Sequence, residues 1–152
     1  MDIFSAIFLG AVCGLVGVFV MSAVSILLSQ SYGKKADMTR MVGSLVTKKM
    51  DGAHAVGWAI HLGFGAFFGI AYLWIMKAMG ALTFPSALFL GLGFGLFHGL
   101  ISSYILMFTA RERHPIETYR KATMAQGVIY FIGHMVFGLV VGGLGSFFAA
   151  SL

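Results

Sequence analysis

The sequence predicts an all-α integral membrane protein, a four-helix bundle made of two parallel two-helix repeats. Three observations predict it. Four stretches contain no Asp, Glu, Lys or Arg: residues 3–33, 52–76, 78–110 and 122–152. Each exceeds the ~20 residues a helix needs to cross the hydrocarbon. Nine of the ten basic residues fall between the first and second or the third and fourth of these stretches. Finally, two segments recur in order along the chain. Because backbone polar groups cannot stay unpaired in lipid, each apolar stretch is expected to be helical. None has the alternating polarity of a barrel strand.

The composition agrees. The chain of 152 residues is 59% hydrophobic and 10% charged, and its mean hydropathy of +0.95 lies outside the soluble range. The formal net charge of +5 would suggest nucleic acid in a soluble protein, but here topology places the charge. Lys34, Lys35, Arg40, Lys48 and Lys49 follow the first span. Arg111, Arg113, Arg120 and Lys121 follow the third, and Lys77 alone lies between the second and third. The positive-inside rule puts both basic loops in the cytoplasm and both termini outside, in the cell membrane. The partners expected are the lipid bilayer and other membrane proteins or further copies of the chain, with no role for nucleic acid.

The first helix is expected at about 3–30. Positive charge follows this apolar run instead of preceding it, which suits an uncleaved helix better than a signal peptide. The single cysteine, Cys13, excludes an internal disulfide and reads as a small core residue.

The first basic loop is expected to hold an amphipathic interfacial helix. Met38, Met41, Val42, Leu45 and Val46 follow a helical stripe. Asp37 suits the N-cap, and Lys48 and Lys49 suit the negative end of the helix dipole. Such a helix lies in the headgroup region.

Helices two, three and four are expected at about 53–79, 84–109 and 116–150, the last starting after Pro115 with Glu117 in its first turn. Trp58, Tyr72 and Trp74 read as interfacial aromatics. His54 and His114, at the basic boundary, read as solvated surface residues. Met76 and Met79 read as apolar packing residues.

Ser5–Gly10 (SAIFLG) recurs as Ser86–Gly91 (SALFLG), an offset of 86 − 5 = 81. His61-x-x-x-Gly65-x-x-x-Gly69 recurs as His134-x-x-x-Gly138-x-x-x-Gly142, an offset of 134 − 61 = 73. The chain thus reads as one domain, 1–152, with repeat one at 1–80 and repeat two at 81–152. Two crossings per repeat imply a pseudo-twofold along the membrane normal.

The glycines recur at helical spacing: Gly10 and Gly14; Gly65 and Gly69; Gly91, Gly95 and Gly99; Gly138 and Gly142. In lipid, small residues let helix backbones approach and gain dispersion contact, so these positions are read as packing seams.

Three imidazoles fall inside spans: His61, His98 and His134. Counting turns from the helix ends puts all three in the middle or cytoplasmic half. The plainer reading is that each bonds to a carbonyl or to a hydroxyl such as Ser22, Ser102 or Ser103. The sharper reading makes His61 and His134 axial ligands of a haem b, or ligands of a metal ion with His98 as the third. Gly65 and Gly138 would then make room for the porphyrin. No span carries a carboxylate, and nucleophile elbows, phosphate loops and HExxH motifs are absent. The chain is therefore expected to be a non-catalytic subunit packing through its glycine faces in a larger membrane complex or homo-oligomer. The haem- or metal-binding redox protein is the alternative, followed by a small channel or carrier for an uncharged solute.

The His-x-x-x-Gly-x-x-x-Gly element after Ala55–Ile60, with its echo at His134, resembles a family of small four-helix prokaryotic membrane proteins. The resemblance covers most of helices two to four. It implies the four-helix architecture and carries no activity over to any residue.

Overall fold

A computed structural model describes residues 2–31 and 37–151; the expectations on Lys34 and Lys35 lie outside the described residues. Among the described residues, four helices are long and apolar enough to cross a membrane: α1 (Ile3–Ser31), α3 (Ala53–Ala78), α4 (Ser86–Arg113) and α6 (Met124–Ala149). Two short helices, α2 (Met38–Thr47) and α5 (Glu117–Arg120), lie in the two basic connections. The molecule is an all-α, multi-span membrane bundle.

α1 and α6 run side by side through the middle. α3 lies along α1 and α4 along α6, while α3 and α4 approach each other only lightly. This inequality is not what a simple twofold between hairpins would produce, since that would pair α1 with α6 and α4 with α3 alike.

Glycine sets the approach within each pair. A Cβ on Gly14 would run into the Gly65 carbonyl oxygen, and one on Gly69 into that of Gly10. In the other pair, a Cβ on Gly91 would meet the Gly138 oxygen and one on Gly142 the Ala87 oxygen. Gly91 therefore meets Gly138 and Gly142 as Gly14 meets Gly65 and Gly69. The contact offset, 91 − 14 = 77, differs from the sequence offset of 81 by four residues, about one turn. By contact, the counterparts of His98 and Gly99 are Met21 and Ser22.

Helix α2 is seated on α3. Gly43 packs against the Ala53 carbonyl and Gly57 against the Thr39 carbonyl. The Asp37 carboxylate caps the helix by accepting from the Arg40 N–H at 2.9 Å. At the other end Lys48 adopts a left-handed φ of 58°, and its N–H donates to Ser44 O at 3.0 Å. The apolar stripe is split between environments: Met41 is fully buried, Met38, Val42 and Leu45 line a groove, and Val46 is exposed.

The single helix expected from Pro115 is instead two. α5 stops at Arg120, and α6 starts afresh behind a capping box in which Thr123 and Gln126 satisfy each other's backbone N–H groups. His114 also departs from expectation, being fully buried. Its Nδ1 accepts from the Ile116 N–H at 3.0 Å, so the neutral ring carries its proton on Nε2 and donates it to Met41 O at 3.0 Å. The Tyr119 ring packs edge-on at 4.7 Å between centroids. With both nitrogens bonded, the desolvation penalty that normally keeps histidine at the surface is met, and the imidazole ties α2 to the α4–α5 corner.

Candidate functional site: a three-histidine groove

The light contact between α3 and α4 leaves a groove of about 370 Å³ open along the side of the bundle. His61 on α3, His98 on α4 and His134 on α6 all line it. Phe64 and Phe68 form one wall, Ile105 and Leu106 the other, and Met38 and Val42 of α2 close the basic end. Phe64 and Ile105 are more than half exposed on the outside of the bundle, so the groove opens sideways. Its lining is almost entirely apolar apart from the imidazoles, Thr39, Ser102 and Thr109.

Each histidine is held by one local bond. The His134 Nδ1 lies 2.7 Å from Tyr130 O, one turn back on α6. A carbonyl only accepts, so Nδ1–H is the donor and neutral His134 presents a bare Nε2 lone pair. His98 Nδ1 lies 3.0 Å from the Tyr72 hydroxyl, and Phe68 stacks on the same ring with centroids 3.8 Å apart. His61 Nε2 is 3.4 Å from Ser22 Oγ, one of the three hydroxyls that the sequence offered.

The position of His134 follows from glycine. Gly99 faces its Cβ, where an added methyl would sit 2.6 Å away, and Gly95 faces its carbonyl at 2.5 Å. The small side chains of α4 let α6 come close enough for the His134 ring to pack edge-on against His98, centroids 4.9 Å apart.

Among the described residues, no three His, Cys, Asp or Glu side chains stand close enough together to hold a metal ion. The room sought for a porphyrin is also taken: opposed backbone and Val18 fill the space beside Gly65, and Gly91 and Gly95 fill the space beside Gly138. The residues present therefore do not fit a macrocycle clamped between His61 and His134.

Tyr72, behind His98, is the site neighbour that its place in the sequence does not announce. Read as an interfacial aromatic, it is buried and bonded to His98. The signal was its spacing: 72 − 61 = 11 places it three helical turns from His61 on the same face of α3. Of the two methionines read as packing residues, Met76 is fully buried and Met79 mostly exposed.

A second polar cluster lies where α2 meets α3. The Trp58 indole N–H donates to His54 Nε2 at 3.1 Å, which places the proton of neutral His54 on Nδ1. That nitrogen lies 3.2 Å from Thr39 Oγ1, whose hydroxyl donates to Asp37 Oδ1 at 2.9 Å. His54 is exposed, as its position in the sequence suggested. The chain of bonds orients the Asp37 cap.

No family model, curated protein or solved structure matches this chain. The motif resemblance therefore rests on the His-x-x-x-Gly-x-x-x-Gly element alone. What stands is the architecture: a small all-helical protein with four apolar membrane-spanning helices.

Proposed function

We propose that this protein is a non-catalytic membrane subunit that holds a lipid-soluble molecule in the histidine groove. One observation carries the reading. Three imidazoles from three helices line a single apolar groove on the side of the bundle, where a surrounding bilayer would meet it. Ionisable side chains at membrane depth are costly and mark functional sites by default. An apolar cleft with a few convergent polar groups is the usual form of a small-molecule site.

The finer features of the architecture belong to the same proposal. The matched glycine contacts of α1–α3 and α4–α6 support two duplicated hairpins, offset by one turn in the first helix of each. The distribution of Lys and Arg supports a cytoplasmic α2/α5 end and external termini. Because the glycines are used inside the bundle, association with a larger complex or a second copy would run through the exposed phenylalanine faces. Blue-native electrophoresis in mild detergent tests that association, and a monomer alone would remove it.

The groove is tested with an alkyl diazirine as a photolabel on the full chain in liposomes. Saturable labelling at Ile60, Phe64, Ile105 and Leu106 is expected, and Ser102→Phe, which adds a ring to the groove, should remove it. Labelling that rises without saturation on all lipid-facing side chains would overturn the reading. So would a stoichiometric Soret band in the purified protein, which would return the site to haem.

A further inference from the structure

The hydrogen-bonding character of the groove narrows the ligand class. We infer that the occupant carries a hydroxyl on a flat ring, a lipid-soluble phenol of the hydroquinone type, held between His134 and His98. This inference rests on the groove being a ligand site, as proposed above.

His134 supplies the acceptor. Its Nδ1–H is committed to Tyr130 O, so the nitrogen left over is an unprotonated Nε2. The residue is 8% exposed, and its ring lines both the groove and a smaller recess at the groove's floor. Among the described residues no donor reaches this Nε2. This nitrogen keeps accessible surface and has no partner among those residues, so only a donor brought by an occupant satisfies it.

His98 supplies the donor. Its Nδ1 lies 3.0 Å from the Tyr72 hydroxyl. A phenolic oxygen is a better donor than acceptor, because its lone pairs are drawn into the ring. Tyr72 O–H therefore donates to Nδ1, and neutral His98 keeps its proton on Nε2. The two rings meet edge to face at 4.9 Å, so the ring with the acceptor and the ring with the donor are neighbours in the groove wall.

A hydroxyl matches such a pair, since it donates and accepts at one oxygen. A ketone or quinone carbonyl accepts from His98 but leaves His134 unmet, and an ether does the same. The ring requirement comes from the wall. Phe68 stacks on His98, and Phe64 stacks on Phe68 at 6.3 Å with planes 28° or less apart, which presents a flat aromatic surface beside the hydroxyl position. The open side lets an alkyl or isoprenoid tail extend into the bilayer.

The test compares 4-nonylphenol with its O-methyl ether, which keeps the ring and tail and lacks the donor. Each competes with the diazirine photolabel on the full chain in liposomes. The phenol is expected to compete about tenfold more strongly, the usual scale for one buried hydrogen bond. His134→Leu should abolish the preference. Tyr72→Phe, which leaves both groove-facing rings in place, should weaken the phenol and the ether alike by severalfold, since each accepts from His98, and should leave the preference standing. Equal competition by the two compounds in the wild-type protein would overturn the hydroxyl class and leave the groove reading standing. Failure of both, with no saturable labelling, would overturn both.

Discussion

The imidazoles of His98 and His134 meet edge to face with centroids 4.9 Å apart, yet each is anchored by a different helix: His98 by Tyr72 of α3 and His134 by its own backbone on α6. Two neutral rings held from opposite sides form a fixed polar pair in an apolar wall. Much of the chemistry open to this bundle depends on that arrangement.

The glycine seams make the first prediction. At Gly14 a methyl group would overlap the Gly65 carbonyl, whereas at Gly63 it would meet nothing within 4 Å. Gly14→Ala should therefore destabilise the bundle by about 1–3 kcal/mol through overpacking. Gly63→Ala should be neutral or slightly stabilising, since alanine is the better helix former by about 1 kcal/mol. Thermal unfolding in detergent separates them, and equal melting temperatures would contradict the packing role of Gly14.

His114 makes the second. Replacing it with Ala leaves the Ile116 N–H without its acceptor and opens a cavity at the α2–α5 corner. The expected cost is roughly 2–4 kcal/mol. The readout is local: trypsin should cut faster at Arg40 and Arg120. Unchanged cleavage would mean that the corner is held by other contacts.

Asp2 makes the third. Its Oδ1 accepts from the Ser5 N–H at 2.7 Å, and this bond is the main reason its carboxyl titrates below the ordinary value of 3.8. The ionised form is the capping form. Its contribution to the first turn of α1 is thus complete above 3.8 and is lost as the pH falls through the lowered value. A carboxyl carbon NMR titration should give a midpoint below 3.8 for Asp2, and a midpoint at or above it would refute the cap.

Orientation makes the fourth. Val46 and Met79 are both mostly exposed and lie at opposite ends of the bundle. With Cys13 replaced by Ala, Val46→Cys should react with an impermeant maleimide only after the membrane is opened. Met79→Cys should react from outside intact cells. The reverse pattern would invert the proposed topology.

The relation between the halves shows how far the sequence could be read. The motif at Ser5 and Ser86 aligns Gly10 with Gly91, yet by backbone contact Gly91 takes the place of Gly14. A helix presents nearly the same face after four residues as before, so a GxxxG ladder can slide by one turn and still bring glycine to the seam. Sequence similarity alone does not register such a slide.

His114 departs from its sequence context for a related reason. Next to Pro115 and three arginines it looks like a surface residue, because local sequence reports neighbours along the chain and not the helix that folds over them. Tyr72 shares that history: only the approach of α4 turns a boundary tyrosine into the partner of His98.

By itself, the sequence determined that this chain is helical and crosses the membrane four times. Length and apolarity decide that, since lipid offers a backbone no other partner than itself. The tertiary structure alone decided that α3 and α4 diverge while α1 and α6 pack, and so opened one groove onto all three histidines. Such choices depend on which small side chains face each other across space. The order of residues along a helix does not record that.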